Sequence, residues 1–171
     1  MNELISRIEQ AFGDVEYPGE DDLTESTYGE EPAALVEDFR GKDDWRVLDA
    51  GFLDQAPDGW ASALSFFSKN ALKFYLPAYM IADLRGELQS ADPAFRLCMS
   101  LTPLGGKQKI AKMWGGGTMG ERARAEFDTY DAKKVSVIVD YLWWKLELLG
   151  GHDTVIEQAL EYYWLTRTID T

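Results

Sequence analysis

Behind Ser68, a residue suited to capping a helix start, Leu72, Leu76, Tyr79, Met80, Leu84 and Leu88 recur at helical spacing. Lys69, Lys73, Asp83, Arg85 and Glu87 fall mostly on the opposite side. The pattern predicts a broad-faced core helix inside the stretch Trp60–Leu88, which the rest of the chain is built to cover. Pro77 lies within it. Proline has no N–H and its ring opposes the carbonyl four residues back, so the spacing predicts two helical pieces meeting near Leu76.

Similar patterns flank this stretch. Asn2 is placed to cap a short amphipathic helix carrying Leu4, Ile5, Ile8, Ala11 and Phe12, closed by Gly13. From Asp14 to Glu31 the periodicity collapses into an acid-rich loop with a Pro18-Gly19 turn. Pro32 opens a helix with Leu35, Val36 and Phe39, and Gly41 ends it. Trp45, Leu48, Phe52 and Leu53 mark another short helix after a turn at Asp43-Asp44, and Pro57-Asp58-Gly59 turns the chain into the central stretch. Residues 61–67 and 95–101 are apolar and short enough to be strand or helix. Asp131 caps a helix that is apolar nearly all round, from Val135 to Leu149, and Gly150-Gly151 ends it. Thr154 and Glu157 have capping-box spacing for a last helix with Ile156, Ala159, Leu160, Tyr163 and Trp164 inward. The expected fold is mainly α: one compact domain over residues 1–171, a bundle of five to seven helices with at most one or two short strands. The Gly-rich segment 102–120 is expected to be a mobile loop.

Composition adds a charge asymmetry. The net charge is −13, and residues 1–60 hold 17 acids against 4 bases while the remainder balances. Between positions 96 and 124, Arg96, Lys107, Lys109, Lys112, Arg122 and Arg124 face only Glu121. So acidic a front repels a phosphate backbone, which argues against nucleic acid and suits a basic protein partner. A single cysteine, Cys98, sits in an apolar run and reads as a buried small hydrophobe. The N-terminal segment has early acids and no uninterrupted apolar core, and no run reaches the roughly 18 apolar residues of a membrane span. A cytoplasmic location without membrane contact is the expectation.

Motifs for chemistry fail individually. The single histidine, His152, lies in a Gly-Gly-His-Asp turn and has no partners at metal-ligand or nucleophile spacing. Gly105-Gly106-Lys107 lacks the earlier glycine and the following Ser or Thr of a phosphate loop, and Gly115-Gly116-Gly117-Thr118 lacks the strand before it. Asp21-Asp22, Glu30-Glu31, Glu37-Asp38 and Asp43-Asp44 are adjacent acids in polar segments, without the burial that separates the pKa values of a catalytic pair. No catalytic residue, metal ligand or cofactor is assigned. Lys107, Lys109, Lys112, Arg122 and Arg124 form a candidate anion site, against the plainer alternative that they lie across the acidic front of the same molecule.

Three blocks carry a resemblance: RIEQAFGDVEYPGEDDL near the start, ALSFFSKNALKFYLPAYMIADL in the centre, and VIVDYLWWKLELL followed by ALEYYW at the end. With these the chain resembles an uncharacterised family of small bacterial proteins, a domain of unknown function; residues 74–79, FYLPAY, are the most specific part. The resemblance implies a compact domain and supplies no catalytic residue, and the segment Thr102–Gly120 has no counterpart in it.

The reading that unites these features is a non-enzymatic protein-binding module, such as an immunity or inhibitor protein, with an acidic N-terminal surface. Its candidate partner-binding residues are Tyr17, Asp21, Asp22, Tyr28, Glu30, Glu31, Asp43, Asp44 and Trp45. The alternatives are a structural or regulatory helper without a ligand site, and a carboxylate enzyme using Asp83 or Asp140 in a pocket with Tyr75, Tyr79 and the loop bases.

Overall fold

The structure is a computed structural model and describes residues 1–26, 29–55, 63–112 and 115–168. The Pro57-Asp58-Gly59 turn, Trp60, residues 61–62, Tyr28 and part of the Gly-rich segment lie outside the described residues. The fold is mainly α. Nine α-helical segments occur among the described residues, five of them nine residues or longer, and β pairing there consists of the single bridges Thr24–Phe67 and Lys109–Thr118. The chain divides into two compact units, Met1–Pro93 and Ala94–Thr171.

The first unit contains α1 (Asn2–Ala11), α2 (Glu30–Phe39), α3 (Ala50–Gln55), α4 (Ala63–Phe66) and α5 (Lys69–Leu84). Short 3-10 turns at Glu20–Asp22 and Trp45–Val47 link them. Ser68 caps α5 as its sequence predicts, its hydroxyl accepting from the Ala71 N–H at 3.0 Å. The expected division at Pro77 is not found: α5 runs unbroken through it. Thirteen of its 16 residues are buried. At about 25 cal/mol for each Å² of apolar surface covered, burial on that scale outweighs the roughly 3 kcal/mol that an interior proline costs. Asn2 does not cap α1; it is the first helical residue, preceded by Met1.

An aromatic cluster fills the space between α2 and α5. The Phe39 ring lies 4.8–5.0 Å from those of Phe52, Phe67 and Tyr75, all edge to face, and Phe67 stacks on Tyr75 at 5.1 Å. The Tyr75 hydroxyl donates to the Lys42 carbonyl at 2.8 Å, tying the end of α2 to the middle of α5. The run 61–67, open to either reading in the sequence, is a one-turn helix over its described part, ending in the Phe67 bridge.

The second unit contains α6 (Pro93–Cys98, entered across the boundary), α7 (Met119–Phe127), α8 (Ala132–Leu148) and α9 (Thr154–Ala159). The run 95–101 is thus helical, ending in a 3-10 turn at Met99–Leu101. Asp131 caps α8 through the Lys134 N–H, as expected. Asp153, not Thr154, caps α9, its carboxylate accepting from both Val155 and Ile156 N–H groups. The capping box is elsewhere, at Thr118 and Glu121. After α9 the backbone widens into a π turn, Leu160–Trp164, which seats the Trp164 indole to donate to the Leu97 carbonyl at 3.0 Å. In the Gly-rich segment two glycines are fixed by close approach. A Cβ on Gly105 would stand 2.0 Å from the Met99 carbonyl oxygen, and one on Gly120 2.9 Å from the Gly106 Cα.

The Tyr79 hydroxyl is fully buried with no hydrogen-bond partner among the described residues. Desolvation, then the Asp54 carboxylate, raises its pKa. An unsatisfied buried hydroxyl costs about 1–3 kcal/mol. Tyr79→Phe is therefore expected to raise the urea midpoint at an unchanged slope, equivalent to about 1 kcal/mol; a loss of stability would show that the hydroxyl has a partner.

Candidate functional site

The acidic segment after α1 is held down. The Ser68 hydroxyl donates to the Asp22 carbonyl at 2.6 Å, the Ser68 N–H donates to the Leu23 carbonyl, and Asn70 donates to the Asp22 carboxylate at 2.7 Å. Thr24 donates to the Phe66 carbonyl at 2.7 Å, and Leu23 is fully buried. Asp21 and Asp43 are exposed, and Glu30 and Glu31 stand exposed in the first turn of α2, where their charge complements the helix dipole. Asp22 and Asp44 have structural tasks as well; the Asp44 carboxylate accepts from the Arg46 N–H at 3.0 Å.

Of the predicted anchors, Trp45 is buried and Tyr17 is half-buried. Trp45 is 2% exposed, with the Arg46 guanidinium 4.5 Å over its ring, so it belongs to the core and not to a contact surface. Tyr17 is half-buried, its ring edge-on to Phe74 at 5.5 Å and its hydroxyl enclosed. Burial, followed by the Glu20 carboxylate, pushes its phenol pKa up. Apolar residues next to acids gave the sequence no means of separating an anchor from a core residue.

One concave feature of this unit has no signal in the sequence. A cleft of about 1070 Å³ opens between α2, α3 and the segment after α5, lined by Ala34, Gly51, Phe52, Gln55, Gln89, Ser90 and four acids. Those acids are Glu37, Asp38, Asp54 and Glu87, and they are the only charged groups lining it among the described residues. Asp54 builds one wall. Its Oδ1 accepts from the Ser90 and Ala91 N–H groups at 2.9 and 2.8 Å, and its Oδ2 from Gln89 at 2.6 Å. The Glu37-Asp38 pair was visible in the sequence, but Asp54 meets partners 35–37 residues away.

The five bases proposed as an anion site have separate surroundings. Lys107, Lys109 and Lys112 are exposed on the Gly-rich segment, and Arg122 and Arg124 are exposed on α7. Arg124 lies 5.1 Å over the Tyr163 ring. The start of α7, where an anion would be attracted, already holds the Glu121 carboxylate, which accepts from the Thr118 N–H at 2.8 Å. His152 is exposed and pairs with Glu157 at 2.7 Å. Tyr75 and Tyr79 are fully buried, and so is Cys98. Among the described residues no group of His, Cys, Asp and Glu is placed to hold a metal ion, and no helix is long and apolar enough to cross a membrane.

Fold and site together define a mainly helical protein whose net acidity is concentrated in one of two units. The chain belongs to a family of unknown function, DUF6714, whose model matches residues 1–168. No curated protein and no solved structure matches it.

Partial burial pushes the Asp54 carboxyl up, but the Ala91, Gln89 and Ser90 N–H groups more than reverse this and hold its pKa below the ordinary value. A carboxyl depressed on folding contributes stability that is complete above its unfolded value, about 3.9, and is lost as pH falls through the folded value. Asp54→Asn is accordingly expected to lower stability at neutral pH and to flatten its decline below about pH 4. Denaturant titrations at several pH values check this; parallel wild-type and variant profiles would refute the anchor.

Proposed function

We propose that the protein is a non-enzymatic binding module of the bacterial cytoplasm, of the immunity or inhibitor kind, which captures a basic protein on the acidic surface of its first unit. The observation that carries this reading is the coincidence of charge and fold: the unit Met1–Pro93 has 20 acids against 7 bases, while Ala94–Thr171 has 10 of each. The same unit holds the acid-lined cleft. A concentrated field of one sign accelerates encounter with an oppositely charged partner, and a cleft gives that partner a place to insert a side chain.

Several acids are free for this role because backbone caps and exposed pairs absorb only part of the charge. Arg40 bridges Glu37 at 3.3 Å and Glu20 at 3.8 Å, in exposed contacts that contribute little to stability. Phe52 supplies the aromatic part of the cleft, and the Lys42 ammonium lies 5.2 Å from the centre of its ring. The ring face thus accepts a cation within the chain, an arrangement that an incoming arginine or lysine would reproduce.

Affinity capture from the native lysate at low and high salt tests the reading. The expected result is one basic protein bound at low salt, released at high salt, and not bound by a Glu37→Lys, Asp38→Lys, Glu87→Lys triple variant. Its association rate should fall at least tenfold, roughly, over the same salt range. Capture indifferent to both salt and charge reversal would contradict the proposal.

A further inference from the structure

A second, smaller cavity of about 310 Å³ lies where the end of α5 faces α1 and the 3-10 turn Trp45–Val47. Its volume is at the lower end of the range for small-ligand sites. Ala50, Ala78, Ile81 and Ala82 contribute methyl groups to its lining, beside Trp45, Val47 and Leu48. Five charged residues line it as well: Glu9, Arg46, Asp49, Arg85 and Glu87.

Two of these five are already engaged. Arg46 pairs with Asp44 at 3.4 Å and covers the Trp45 ring, and the Asp49 carboxylate accepts from the Phe52 N–H at 2.9 Å. Arg85, Glu9 and Glu87 are exposed and make no ion pair among the described residues. A mixed lining, with the Ala78, Ile81 and Ala82 methyl groups beside one uncommitted cation and two uncommitted anions, selects for a ligand with both charges and a small aliphatic body. A simple carboxylate would satisfy Arg85 but add a negative charge beside Glu9 and Glu87, and a simple amine would leave the guanidinium unused. A zwitterion meets both signs and enters an acidic unit without a net-charge penalty.

We infer that this cavity binds a free α-amino acid with a small aliphatic side chain, the carboxylate on Arg85, the ammonium toward Glu9 and Glu87, and the side chain against Ala78, Ile81 and Ala82. The site shares the Glu87 carboxylate with the acidic cleft but requires no protein partner. The guanidinium provides the paired donors a carboxylate needs, which a lysine at this place would not.

The test is a ¹H–¹⁵N NMR titration of the full chain with L-valine, L-valinamide and N-acetyl-L-valine, repeated on Arg85→Met, an exposed substitution. Saturable shifts at the Ala78, Ala82 and Arg85 amides with L-valine are expected, with a Kd of about 1 mM or tighter. Either blocked derivative should bind at least about tenfold more weakly. Arg85→Met should lose about the same factor for L-valine and leave the response to L-valinamide unchanged. No shifts up to about 10 mM L-valine, equal binding of all three probes, or unchanged binding by Arg85→Met would each overturn the assignment.

Discussion

Ser68 is fully buried, and its hydroxyl has two tasks: it accepts from the Ala71 N–H to start α5, and it donates to the Asp22 carbonyl to hold the acidic segment. The Ser68 N–H, turned toward Leu23, completes the attachment. A hydroxyl is both donor and acceptor, so one side chain joins the initiation of the core helix to the placement of residues 20–24. Without it the Asp22 carbonyl would need another donor, and the first turn of α5 would lose its side-chain acceptor.

This attachment bears on the electrostatics. A segment as acidic as residues 20–31 repels itself and by composition alone favours solvent. The structure compensates locally. Buried Leu23 and the Thr24–Phe66 hydrogen bond secure the segment, Glu30 and Glu31 sit at the positive end of α2, and Asp44 and Asp54 bond to backbone N–H groups. Part of the acidity is thereby structural, on backbone that is tied to the rest of the unit at residues 22–24.

What the sequence made legible follows the range of the interaction concerned. Helix starts at Ser68 and Asp131 were readable because cap and helix are adjacent in the chain. The inward faces of α5 as far as Leu84 and of α8 as far as Leu146, and the inward Tyr163 and Trp164, were readable because apolar spacing is a local signal, whereas Leu88 lies beyond α5 and Leu149 is exposed. Pro77 was misread because its effect was judged without the burial of its neighbours, and Thr154 because Asp153 beside it is the better acceptor. The cleft was not legible: α2, α3 and the segment after α5 form it together, and Asp54 reaches amides 35–37 residues away. Trp45 was placed on the surface by its acidic neighbours, although a tryptophan's own burial outweighs the polarity of adjacent positions.

Residues 20–24 are a folded part of the first unit, secured at the start of α5. Native-state hydrogen exchange at the Ser68 amide tests it most directly, since that N–H bonds to the Leu23 carbonyl across the junction. The account predicts protection of the same order as amides in the middle of α5, because opening there would disrupt the core helix as well. Exchange at the rate of an unstructured peptide, with α5 itself protected, would show the segment to be detached and would contradict the account.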